Sequence, residues 1–149
     1  MEELVSKTDP DFIQLHGNES VARVEEIKTR FGVSVIKAIS VRSLDDIALA
    51  RPYHDVAEFV LFDAKAPQNA VLPGGNGLAF NWQILFDVKL PKFWALSGGL
   101  HDKNVIKALT ISSAPMVDVS SGIESAPGVK SLELMNEFVN AVRIYDTSS

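Results

Sequence analysis

The sequence predicts an α/β fold, with parallel strands and outer helices, built as a (β/α) barrel of which about five β/α units are visible. Three observations carry this. Short apolar runs, rich in β-branched and aromatic residues, alternate five times with helical patterns, and such crossovers force a parallel sheet. Polar residues fall at or near the C-terminal ends of all five runs, as at the catalytic face of a barrel, whereas an open doubly wound sheet would gather them at one switch point. Two of the runs end in loops of small residues, Ser97-Gly98-Gly99 and Asp118-Val119-Ser120-Ser121-Gly122.

The first strand is expected at Phe12 to His16, where Phe12, Gln14 and His16 share one face and Ile13 and Leu15 the other. Ser20 to Phe31 reads as a helix, with Val21, Val24, Ile27 and Phe31 on one side and Gly32 placed to end it. Val33 to Ile39 is the second strand and contains Lys37, a cation in apolar surroundings that needs a partner. Ser43 can cap a short helix through Ile47 and Leu49, with Asp45 and Asp46 in its first turn. Glu58 to Phe62 is the third strand, and Asp63 stands at its end.

A helix is expected over Asn81 to Val88, a strand over Phe93 to Leu96 and a helix over Asp102 to Leu109. Met116 to Val119 reads as the fifth strand, continuing into Ser120 with Asp118 and Ser120 on one face against Val117 and Val119. The last helix, Ser131 to Arg143, carries Leu132, Met135, Phe138, Val139 and Val142 along one side, a pattern of core packing.

A chain of 149 residues with this composition supports a single domain, 1–149. Its net charge of −5, with Lys and Arg scattered, argues against a nucleic-acid surface. The absence of cysteine excludes disulfides and thiolate metal sites, and His16, His54 and His101 lack ligand spacing, so neither a metal nor another cofactor is expected. No apolar run approaches a membrane span, and the first residues lack the apolar centre of a signal peptide, so no membrane partner and a cytoplasmic location are expected.

Small-molecule chemistry is the expectation that remains. Two small-residue loops side by side can offer backbone N–H groups to a phosphate, which makes Ser97, Gly98, Gly99, Ser120, Ser121 and Gly122 the candidate phosphate-binding residues. Pro73-Gly74-Gly75-Asn76-Gly77 lacks both the Lys-Ser/Thr ending of a P-loop and the G-x-G-x-x-G spacing. A mobile loop over the site, hinged at its glycines, is the expectation there.

Seven stretches together resemble one family, phosphoribosylanthranilate isomerase of tryptophan biosynthesis. They are Gln14-Leu15-His16-Gly17, Val35-Ile36-Lys37-Ala38, Leu61-Phe62-Asp63-Ala64-Lys65, Pro73 to Gly77, Phe80-Asn81-Trp82, Leu96 to Leu100 with Asn104-Val105, and Val117 to Glu124 with Pro127-Gly128 and Lys130. The resemblance implies a (β/α)8 TIM barrel represented by its strands four to eight, with Met1 to Thr8 as the end of the third helix. Two departures are local: Asn81 stands where relatives often carry an acid, and Leu78 where many carry a lysine.

The activity so implied is an aldose–ketose isomerisation, the Amadori rearrangement of N-(5-phosphoribosyl)anthranilate to 1-(2-carboxyphenylamino)-1-deoxyribulose 5-phosphate. Asp63 resembles the family's general acid, and desolvation at an apolar strand end favours the protonated form an acid needs. Asp118 resembles the aspartate that orients the anthranilate amino group. Gln14 and His16 resemble substrate contacts, and Lys37 is grouped with them as a substrate-side residue, although its ammonium could equally pair with Asp63 or Asp118 inside the barrel. The family's general base is a cysteine at the end of strand one, and this sequence contains none.

Two other readings compete. A relative of indole-glycerol-phosphate synthase would need a catalytic Lys and Glu in place of Asp63 and Asp118. A non-catalytic phosphate-binding half-barrel, or an interaction module, would use its open strand edges, which are also where self-association is expected.

Overall fold

The computed structural model describes residues 2–64, 82–85 and 88–148, and within them a parallel sheet is built on an in-register ladder. After α1 (Glu2–Thr8), strand β1 (Phe12–Leu15) leads into α2 (Val21–Phe31), and β2 (Ser34–Val41) into α3 (Leu44–Ala48). Strands β3 (Phe59–Ala64) and β4 (Trp94–Ser97) follow, and β4 leads into α4 (Asp102–Ser112). The four strands lie in the order β1-β2-β3-β4, every neighbouring pair parallel.

Local chemistry sets the helix ends. The Ser20 hydroxyl accepts the Arg23 N–H at 3.2 Å to start α2, and Gly32, at φ 64°, ends it. At the start of α3 the Asp46 carboxylate accepts the N–H groups of Arg42 (2.9 Å) and Ser43 (3.1 Å). His101 caps α4, its Nδ1 accepting the Lys103 N–H while Asn104 Oδ1 accepts the His101 N–H at 2.8 Å.

The segment expected as a fifth strand adds one parallel bridge, Leu96 to Val117, instead of a ladder. The Leu96 N–H donates to the Met116 carbonyl and the Asp118 N–H to the Leu96 carbonyl, at 3.0 and 2.8 Å. Beyond Asp118 the backbone turns into a 3₁₀ segment, Ser121–Ile123. An antiparallel hairpin of β5 (Glu124–Ala126) and β6 (Val129–Lys130) comes next, followed by α5 (Leu132–Ser148). Of the helix expected over Asn81 to Val88, Trp82–Leu85 forms a 3₁₀ turn. Asn81, Lys65, Leu78 and the loop from Pro73 to Gly77 lie outside the described residues.

The alternation of the strands divides their side chains between two faces. Val41, Val60, Phe62 and Leu96 pack with Val105, Leu109, Phe138 and Ala141 of α4 and α5 in the main core. Leu15 and Val35 pack with Val24 and Ile27 of α2. The opposite, concave face is lined by the buried Ala38, Leu61 and Ala95, with Ile36 and Phe59 against them. Among the described residues no helix is long and apolar enough to cross a membrane.

Phe62 is fully buried and meets the Trp94 ring edge-on at 5.7 Å, whereas Phe93 is 54% exposed. Phe62→Ala is expected to cost about 3–5 kcal/mol and Phe93→Ala under about 1 kcal/mol, measured by urea unfolding. Equal losses would show that the helix-facing core is not where the stability lies.

Candidate functional site

The ladder delivers a row of polar side chains to the C-terminal edge of the concave face. Ser40 pairs with Asp63, and Asp63 with Ser97. The bridge from Leu96 to Val117 brings Asp118 alongside Ser97, whose hydroxyl donates to Asp118 Oδ2 at 2.9 Å. Asp63 and Asp118 therefore stand two strand spacings apart, about 10 Å, on the same side of the sheet. Asp63 is half-buried and Asp118 exposed. Asp63 sits near the end of β3 and Asp118 just after the isolated bridge beside β4.

The loops beyond them are held side by side by a close backbone approach. A Cβ on Gly122 would lie 1.9 Å from the Leu100 carbonyl oxygen, so only glycine allows the two loops to touch here. Gly98 and Gly99 take φ of 94° and 62°, and the Asn104 side-chain amide donates to the Gly99 carbonyl at 2.9 Å. On the other loop the Lys130 ammonium donates to the Ser120 carbonyl and to Glu124 Oε1, both at 2.8 Å. That ammonium, together with the Gly128 N–H, holds the Glu124 carboxyl below its ordinary value. Lys130 and Glu124 stood in the sequence only as parts of a motif, and their pairing across the hairpin gives them a structural task.

Gln14 lies on the concave face opposite Ile36, exposed, and His16 beyond the end of β1 is exposed as well. Lys37 does not join them. It pairs in register with Leu15 and Val60, which both point to the helices, so alternation turns it away from Asp63 and Asp118. The expected pairing inside the barrel is thereby corrected.

Lys37 is instead 1% exposed, with Nζ donating to the carbonyls of Gly17 (2.9 Å), Ala38 (3.0 Å) and Leu15 (3.3 Å). Glu19 Oε2 lies 3.1 Å from Nζ, and the Tyr53 ring centroid 5.5 Å. Burial pushes the Glu19 carboxyl up, but its own backbone N–H, Lys37 and the Gly17 N–H outweigh that and leave it below the ordinary value. Sequence reasoning missed Glu19, although a buried lysine must find an anion and the loop after its neighbouring strand was the nearest source. Among the described residues no three His, Asp or Glu side chains converge as metal ligands would.

Residues 1–141 match the family model for N-(5'-phosphoribosyl)anthranilate (PRA) isomerase. An N-(5'-phosphoribosyl)anthranilate isomerase of Rhizobium johnstonii is 48% identical over 142 residues, covering 95% of this chain and 64% of that protein. One of Rhodopseudomonas palustris is 50% identical over 140 residues, covering 94% of this chain and 64% of the relative. The chain thus spans slightly less than two thirds of the length of these curated relatives.

Among solved structures, phosphoribosyl anthranilate isomerase from Thermotoga maritima superimposes with a TM-score of 0.80 at 31% identity, over 95% of this chain and 66% of that one. A phosphoribosyl anthranilate isomerase in complex with reduced 1-(o-carboxyphenylamino)-1-deoxyribulose 5-phosphate gives 0.75 at 27%, over 95% and 64%. The TIM-barrel expectation holds at the level of fold, with the barrel not closed in this chain.

Gly122→Ala is expected to destabilise by about 1–3 kcal/mol, because the two loops must part to admit the methyl group. Gly32→Ala, which meets open space but keeps a positive φ, is expected to cost about 1 kcal/mol. Thermal melts check the pair, and inorganic phosphate binding followed by NMR should weaken in the first variant only. Unimpaired phosphate binding in Gly122→Ala would detach the loop contact from anion binding.

Proposed function

This chain belongs to the N-(5'-phosphoribosyl)anthranilate isomerase family, and on that premise we propose that it carries the acid and the phosphate-binding loops of a PRA isomerase. The observation that supports this best is the row Asp63, Ser97, Asp118, set beside two loops that touch at Gly122. The reaction is the Amadori rearrangement of N-(5-phosphoribosyl)anthranilate to 1-(2-carboxyphenylamino)-1-deoxyribulose 5-phosphate.

In this reading Asp63 gives its proton to the furanose ring oxygen, the C1′–O bond breaks, and the sugar opens to a Schiff base. Removal of the C2′ proton then yields the enol-amine, which becomes the ketose. The family pattern puts a cysteine at that second step, and with no cysteine in the sequence the step is assigned to none of these residues. Asp118 orients the anthranilate amino group, and Ser97 fixes Asp118 by donating to it. Backbone N–H groups of Ser97 to Gly99 and Ser120 to Gly122 hold the phosphate. Gln14 and His16 meet the substrate from the β1 side.

The family's chemistry favours this over a non-catalytic half-barrel, and Asp63 and Asp118 occupy positions where a relative of indole-glycerol-phosphate synthase would need Lys and Glu. The same reading places the chain in the cytoplasm, acting on a phosphoribosyl substrate and self-associating through its strand edges. The outer edge of β1 is unpaired among the described residues and exposes Phe12. Sedimentation should therefore show concentration-dependent association, and a strictly monomeric chain would refute that part.

Fused behind the N-terminal third of the Rhizobium johnstonii relative, the chain is expected to turn over the aminoaldose. Asp63→Asn in that fusion is expected to lower kcat by about 10²–10⁴-fold. Undiminished turnover in Asp63→Asn removes the acid assignment, and a folded fusion that never turns over refutes the isomerase reading.

A further inference from the structure

We propose that buried Lys37 is a positioning residue for His16, acting from the opposite side of the sheet. Its ammonium binds the carbonyls of Leu15 and Gly17, the two residues that flank His16. Both carbonyls are thereby drawn toward the helix-facing side. With its neighbours' carbonyls pinned, His16 continues the alternation of Phe12 and Gln14 onto the concave face, where it is exposed.

The anchor is itself fixed by Glu19 and Tyr53. Glu19 reaches Lys37 with Oε2 and accepts the Gly17 N–H with Oε1 at 3.1 Å, so one carboxylate ties the cation to the loop it holds. The Tyr53 hydroxyl donates to the Glu19 carbonyl at 2.6 Å while its ring lies against the ammonium. Gly17 leaves room for this: a Cβ there would lie 2.8 Å from Glu19 Oε1. A buried ion pair is weak evidence for stability, since well-packed apolar residues often do as well. What an ammonium adds is three directional donors, and here two of them fix the backbone on either side of one exposed histidine.

The inference rests on the reading that His16 meets substrate, and its test separates the two. In the 149-residue chain, Lys37→Met is expected to lower the backbone order parameter of His16 and Gly17 from about 0.85 to below about 0.6, with Ser97 to Gly99 and Ser120 to Gly122 unchanged. Unchanged order at His16 overturns the proposal whether or not any ligand binds.

The second readout is calorimetric binding of reduced 1-(o-carboxyphenylamino)-1-deoxyribulose 5-phosphate. Lys37→Met is expected to weaken it about tenfold, and Lys37→Met with His16→Ala no more than His16→Ala alone. Additive losses would mean that Lys37 acts by general stability, which overturns the proposal. Binding that His16→Ala leaves intact would instead refute the substrate contact while the order parameters still judge the positioning. Should Lys37→Met fail to fold, Tyr53→Phe removes only the hydroxyl bond to Glu19. It is expected to loosen His16 in the same direction by a smaller amount, and a rigid His16 in that variant overturns the proposal.

Discussion

The register of one parallel ladder is the constraint on which everything else in this molecule depends. Val60 and Phe62 of β3 must face α4 and α5, because that is where the buried partners of the main core stand. Once they do, Leu61 and Asp63 have no choice but the concave face, and pairing carries the same parity to Ser40, Ala95 and Ser97. A slip of one residue would bury Asp63 among leucines and turn Phe62 toward the ligand space. The hydrophobic demand of the helices thus places the polar row, although no polar residue takes part in meeting it.

Within that frame two kinds of contact divide the labour at the C-terminal edge. Strand ends bring side chains, at spacings fixed by the sheet, and loops bring backbone, at spacings fixed by glycine. The approach of Gly122 to the Leu100 carbonyl is closer than any side chain would permit, so the loop after Asp118 lies flat against the turn into α4. The hairpin of β5 and β6 then steadies its far side through Lys130, whose partners are the Ser120 carbonyl and Glu124. Lys130 is exposed and Glu124 half-buried, so the value of the pair lies in directing the loop more than in stability.

Much of this was legible in the sequence because period and composition report burial. The strands at Phe12, Val33, Glu58 and Phe93 and the helices α2, α3 and α4 follow from apolar spacing, and Ser20 and Gly32 mark the ends of α2 by their chemistry. The segment at Met116 misled because β-branched residues show that a strand is suited to burial and say nothing about how many neighbours will pair with it. The hairpin after Ile123 escaped because its short strands are largely exposed and carry little apolar alternation. Lys37 was recognised as a cation in need of a partner, yet its partner was sought across the barrel when alternation already placed it on the other face.

That error bears on how polar residues in parallel sheets are to be read. A polar side chain in an apolar strand points to a functional space only if its parity matches the face that opens to ligand. For Asp63 the match is exact in register with Ser97, and for Lys37 the neighbours Leu15 and Val60 decide against it. A charge on the helix-facing side must then be satisfied entirely by protein, and at the end of a strand the available acceptors are the carbonyls of the adjoining loop. The Lys37 ammonium accordingly binds the carbonyls on either side of His16, at the end of the preceding strand. The outer face of the sheet therefore takes part in the geometry of the inner one through the backbone the two share.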